Sequence, residues 1–118
     1  MIKDRREIHE RIYKFVLSVL DSVKTVPTTT ENLILIRQVV RSSGSIGANA
    51  SEADGAESRK EFVHRFTLSK KEAKETYYWL SLLSDHIPEL KSKLSPLLEE
   101  NMQLISIISK IILNTLKK

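Results

Sequence analysis

Between Phe62 and Leu83 one face of the chain repeats without a break. Phe62, Phe66, Ser69, Ala73, Thr76, Leu80 and Leu83 follow one another in steps of four, three, four, three, four and three. A strand needs a period of two, whereas this spacing keeps every member on one side of an α-helix. The face is large at both ends and small in the middle. A helix with a single such face must bury it against other elements. The chain has 118 residues, enough for one core, and only three glycines and three prolines to interrupt helices. The pattern predicts an all-α fold over residues 1–118, a single antiparallel up-down-up-down four-helix bundle.

Three further helices are readable. The first spans about Lys3 to Lys24, with Ile8, Ile12, Phe15, Val19 and Val23 on one face. Pro27 ends it, and Thr28 with Glu31 has the spacing of a capping box for the next helix. The second begins near Thr29 with the seam Leu33, Ile36, Val40, Ser43, Gly47 and Ala50, large at first and small from Ser43 onward. That register argues that "RSSGSIGANASEADGAESRKEF" is a thinned helix face followed by a turn. Gly55 is expected to stop the helix through its tolerance of positive φ. Ser58 and Glu61 form a second capping box, and Glu61 and Arg65 stand in ion-pair spacing. The third helix ends near Pro88. The fourth runs from Glu89 or Lys91 to Leu116; either Ser95 caps a helix starting there or Pro96 kinks a longer one. Its apolar residues, from Leu104 through Ile108 and Ile111 to Leu116, cover about half the circumference. One bundle contact needs less, so the surplus implies self-association. Ser43, Gly47, Ala50, Leu104, Ile108 and Ile111 are the candidate helix-packing or oligomer contacts.

Composition narrows the chemistry. There are no cysteines, which removes disulfides, thiolate nucleophiles and cysteine-bound zinc. "GSIG" fits a GxxG loop, but no strand accompanies it and no GK[ST] follows. His9, His64 and His86 are read onto different helices, and "HERIY" lacks the second histidine of HExxH. Inward-facing E-x-x-H pairs, which a metal-binding bundle core would need, are absent. Ser42, Ser43 and Ser45 have no evident base. The expectation is a protein that is not an enzyme and holds no metal or cofactor. The N-terminal segment is charged from residue 3, and "LISIISKIIL" is short and contains Lys110, so a cytoplasmic location without membrane contact is expected.

The formal net charge is +4 and the sequence pI about 9.4. A mildly basic chain permits an acidic partner without demanding one. Arg37 and Arg41 stand one turn apart, Arg59 and Lys60 open the third helix, and Lys70, Lys71 and Lys74 follow along it. These seven are the candidate phosphate contacts. Lys3, Arg5, Arg6 and Arg11 stud the first helix, and acids are interleaved with many of these cations. Such a pattern also describes a solvated face.

The stretch from Gln38 resembles the four-helix-bundle family known as 23S rRNA intervening-sequence proteins. The family pattern reads Q-I-R-R-A-A-x-S-I-P-x-N-I-A-E-G-x-G-R-x-S-x-x-E-F. Gln38, Arg41, Ser45, Ile46, Asn49, Glu52, Gly55, Ser58, Glu61 and Phe62 match it, and Pro27 and Glu31 match upstream. Gly47 stands in place of its proline, Ala53 in place of a glycine and Ala56 in place of an arginine. The loss of that arginine weakens a phosphate role for position 56, and Ala53 implies a helix that continues to Gly55. The resemblance implies an antiparallel four-helix bundle without catalytic activity. It also implies kinship with the accessory protein of diversity-generating retroelements, a positively charged homopentamer that works with a reverse transcriptase and nucleic acid. The expected function is a non-enzymatic oligomeric scaffold that binds nucleic acid, RNA ahead of DNA, through its basic residues. The alternative is a protein-interaction hub that docks a polymerase-like partner and leaves nucleic acid alone.

Overall fold

A computed structural model describes residues 5–118 of the chain, with side chains described from residue 7 onward. Four helices follow one another: α1 (Arg5–Val23), α2 (Thr30–Asp54), α3 (Arg59–His86) and α4 (Lys91–Leu116), with a single 3-10 turn at Pro88–Leu90 before the last. The expected start of α1 at Lys3 lies outside the described residues. Each helix packs on its neighbour in the chain, and α4 closes the ring against α1. Paired residues run in opposite order along neighbouring helices. Ser42 meets Thr76 and Ile46 meets Ser69 between α2 and α3; Ala73 meets Asn101 and Asp85 meets Lys91 between α3 and α4. The described residues measure 47 × 25 × 18 Å. A 28-residue helix at 1.5 Å per residue is about 42 Å long, so the bundle is one helix long.

The core follows the seams. All seven members of the α3 face are buried. On α1, Ile8, Ile12, Phe15 and Val19 are buried and Val23 packs beside them. Phe62 and Phe66 lie with ring centroids 4.9 Å apart and tilted, an arrangement favoured by the ring quadrupoles. Full burial of one such side chain stabilises the fold by about 1.5–3 kcal/mol.

Helix α2 departs from its expected register. Leu33 is exposed, and Ile36, Val40 and Gly47 are only half-buried. The core face is instead Val39, Ser42, Ser43, Ile46, Ala50 and Ala53. The run Leu33–Ile36 is apolar at four successive positions and specifies no face by itself. Hydroxyls choose the rotation. Ser69 donates to the Ile46 carbonyl at 2.8 Å, and the Thr76 and Ser42 hydroxyls meet at 2.8 Å. Both contacts lie in the buried seam, where a polar group without a partner costs about 1–3 kcal/mol.

The caps are also adjusted. Thr29, one residue after the expected Thr28, accepts from the Asn32 amide at 3.2 Å, and the Asn32 side chain donates back to the Pro27 carbonyl at 3.0 Å. Glu31 therefore has no capping-box role. Ser58 accepts from the Glu61 amide at 3.0 Å as expected. The Glu61 carboxylate takes the Glu57 amide at 3.3 Å, and the expected ion pair with Arg65 does not form. Gly55 ends α2 at φ −90°, ψ 5°, its amide held by the carbonyls of Glu52 and Ala53, so positive φ is not what makes this turn. Pro96 sits inside α4, which starts at Lys91; a helix beginning at Ser95 is excluded. The apolar surplus of α4 is smaller than its sequence implies. Leu104 and Ile108 are fully buried in this chain's own core, Ile105, Ile107, Ile111 and Ile112 pack against it, and Leu113 and Leu116 are left exposed.

Candidate nucleic-acid interface

Five of the six arginines and lysines of α3 share one side of the helix; Arg65 projects among the acids. At about 100° per residue, Arg59, Lys60, Lys70, Lys71 and Lys74 project within an arc of about 120°. The acids Glu61, Glu72 and Glu75 project outside it, on the side that meets α2. The arc carries no acid from Arg59 to Lys74; Asp85 shares its direction about 16 Å further along the axis and pairs with Lys91 at 3.8 Å. Four of the five cations are exposed and Lys70 is half-buried. None of the five forms an ion pair among the described residues. Between them the arc is filled by Val63 and Thr67. Arg59, Lys60 and Val63 line one shallow groove with Leu116 of α4, and Thr67, Lys70, Lys71 and Lys74 line another. The i, i+3, i+4, i+7 spacing from Thr67 to Lys74 makes this stripe visible in the sequence. Val63 and Thr67, its uncharged members, were not among the residues the sequence singled out.

Helix α2 does not complete the patch. Arg41 lies across the α2–α3 seam, 2.6 Å from Glu75 and 3.3 Å from Glu72, and its Nε donates to Gln38 at 3.1 Å. Its charge is met within the molecule, where it clamps α2 to α3. Arg37 is exposed on α2, one turn before Arg41. On α1, Arg11 forms a two-pronged contact with Glu100 of α4, at 2.9 and 2.7 Å, and reaches Gln103 at 2.9 Å. The hydrogen bond to Glu100 raises the Arg11 pKa above its ordinary value. Lys3 and the side chains of Arg5 and Arg6 lie outside the described residues.

The packing candidates separate in the same way. Ser43, Ala50, Leu104 and Ile108 are buried inside the chain and unavailable to a second copy; Ile111 is half-buried. Gly47 faces α1, where an added Cβ would stand 3.4 Å from Ile12. Gly44 faces a groove between α1 and α2 of about 620 Å³, with no heavy atom within 4 Å of where its Cβ would be. His9 and Asp54 lie at the same groove, 2.8 Å apart without the alignment of a hydrogen bond. His64 and His86 share α3, contrary to the expectation of three separate helices, but stand about 33 Å apart along it. Among the described residues no group of three or more His, Asp or Glu side chains is placed to hold a metal ion. No described helix is long and apolar enough to cross a membrane.

The fold and surface define a small four-helix bundle with one basic helix face. The model of the 23S rRNA-intervening sequence protein family matches residues 5–110, and the chain belongs to that family. A crystal structure of a protein of unknown function, from the S23 ribosomal protein family of Bacteroides thetaiotaomicron VPI-5482, is similar to it. The two share 27% identity and superpose with a TM-score of 0.82, over 89% of this chain and 97% of the other. No curated protein is significantly similar to the chain.

Proposed function

We propose that the protein is a non-enzymatic oligomeric scaffold that binds nucleic acid, RNA ahead of DNA, through the outer face of α3. One observation carries this reading: Arg59, Lys60, Lys70, Lys71 and Lys74 share an arc that holds no acid over their span, Asp85 entering it only beyond Lys74. A solvated face would interleave the two signs, as the sequence does when read as a line. Sorting by side leaves a local positive potential far stronger than a net charge of +4 implies. The contacts are to phosphate and carry no base readout. A ring of copies would repeat the face and multiply weak contacts.

A labelled structured RNA titrated at about 50 and 200 mM salt tests the reading by fluorescence anisotropy. Binding that weakens steeply with salt supports it, and no binding at the lower salt removes it. Light scattering on the same sample gives the assembly mass, with a pentamer expected.

A protein-docking hub is the second reading, favoured by a different surface. Tyr13, Leu17 and Leu20 of α1 are exposed large apolar residues, Tyr13 by 68%. Loss of a protein partner on Tyr13→Ser and Leu17→Ser, with no RNA binding by the parent, would select it.

A further inference from the structure

The make-up of the α3 stripe bears on which form of nucleic acid it would take. Proteins that hold single strands combine cations with aromatic side chains on which successive bases stack. Between Arg59 and Lys74 the arc has the cations without a ring among them. From Arg59 to Lys74 its other members are Val63 and Thr67, neither of which offers a ring. The next aromatic residues along the arc, Tyr77 and Tyr78, stand beyond Lys74; Tyr77 is half-buried, the Tyr78 ring is set edge-on to Trp79 with centroids 5.0 Å apart, and the exposed imidazole of His64 projects about 20° outside the arc. Phe62 and Phe66 point the other way, into the core.

The cation type points in the same direction. Four of the five are lysines. An ammonium is a compact point charge that meets a phosphate oxygen from many directions. An arginine fork, by contrast, also stacks on bases and pairs with guanine. The scaffold is stiff: one unbroken helix carries all five, and Lys60 to Lys74 covers about 21 Å along its axis. A duplex is stiff on this scale, with a persistence length of about 150 base pairs, and holds its phosphates in fixed positions. At about 3.4 Å per phosphate along each strand, 21 Å passes about six phosphates. A flexible single strand must be ordered on binding, and between Arg59 and Lys74 the arc offers no ring to offset that entropy.

We infer that the outer face of α3 takes the phosphate ridge of a double-stranded nucleic acid, independently of sequence, and disfavours single strands. The inference rests on the nucleic-acid reading above and narrows it to a substrate class. RNA and DNA duplexes offer the same chemistry to lysines, so the experiment separates them.

Anisotropy is measured with three labelled probes: a blunt 20-base-pair RNA duplex, the DNA duplex of the same sequence, and an oligouridine of matching charge. Five contacts to a duplex give a slope of log K against log salt of about −4.5, or about 500-fold weaker binding between 50 and 200 mM. The Lys70/Lys71/Lys74→Gln variant is expected to reduce the slope to about −1.8, leaving about a 12-fold loss. Lys14→Gln, on the exposed part of α1, is expected to leave the slope unchanged. Far-UV circular dichroism confirms that each variant is folded. A duplex bound at least tenfold more tightly than oligouridine, with the slope lowered by the triple variant, supports the inference. RNA-only binding would mean that A-form shape is also read, and equal binding of both duplexes that phosphate spacing suffices; both support the inference. Oligouridine bound as tightly as a duplex, with the same dependence on the three lysines, overturns the inference while nucleic-acid binding stands. No binding to any probe overturns both, as does binding indifferent to the three lysines, which would place the site elsewhere.

Discussion

The two sides of α3 use charge in opposite ways. Toward α2, charge is consumed internally: Arg41 reaches across the seam to Glu72 and Glu75, while beneath it Ser42, Ser69 and Thr76 bond with one another and with the backbone. On the solvent side near α4, Lys70, Lys71 and Lys74 face outward without a carboxylate. Exposed lysines on a helix add little to stability, so nothing in the fold requires them all on one arc. One side of the helix holds the bundle together, and the other carries charge that no described carboxylate pairs.

The inner side is the more sensitive to change. Ala73 is fully buried between Ser69 and Thr76, which both bond to α2, and the amide of Asn101 donates to the Ala73 carbonyl at 2.9 Å. Ala73→Leu forces extra carbon into that layer and is expected to destabilise the fold by about 1–3 kcal/mol. Urea unfolding followed by circular dichroism measures it. A midpoint unchanged from the parent would mean that the seam has room and that small residues are not what sets the spacing.

Gly44 tests the opposite side of α2. A glycine within a helix costs about 0.5–1 kcal/mol relative to alanine, and here no neighbouring atom within the chain explains it. In an isolated chain Gly44→Ala should raise stability by that amount, seen as a Tm several degrees higher. If a second copy packs closely on the groove, the same change should lower the assembly mass in light scattering. Gly47 would behave differently, because a Cβ there already meets Ile12.

How much of this was legible in the sequence follows from how each residue acts. The α1 and α3 seams were readable because large apolar residues occur at only one phase. The α2 seam was not, because Leu33, Ile34, Leu35 and Ile36 fill four successive phases, and the decision passes to hydroxyl partners 23 and 34 positions away in the chain. The lysine stripe was present as spacing, but Arg41 looked equivalent to it. Only the position of α3 shows that Glu72 and Glu75 neutralise Arg41, as Glu100 does Arg11 from 89 positions away. Sequence spacing reports neighbours on one helix; which charge is free depends on the helix beside it.

Arg41→Gln sharpens that distinction. Removing the clamp leaves Glu72 and Glu75 without their partner, at an expected cost of about 0.3–1 kcal/mol for a partly exposed pair. The measurement is thermal melting with and without 1 M salt. The parent should lose part of its advantage over the variant at high salt, because screening weakens the same interaction. In the RNA titration the salt slope should not change, since this guanidinium is already occupied. A slope reduced by about 0.9 would instead count Arg41 among the phosphate contacts.

The smallest effect on stability is expected from the three lysines of the proposed interface. Lys70, Lys71 and Lys74 form no ion pair among the described residues, and the core of the helix they stand on is already sealed by buried Phe66 and Ala73. Replacing all three by glutamine removes like-charge repulsion as well as charge, and the net change in unfolding free energy should stay within about 0.5 kcal/mol. Chemical denaturation resolves that difference. A loss well beyond it would show that the lysines brace the α3–α4 contact, and the unpaired charge would then have a structural reason. Stability held within that limit together with a collapsed salt slope would separate the two sides of α3 completely, with the fold written on one and the ligand on the other.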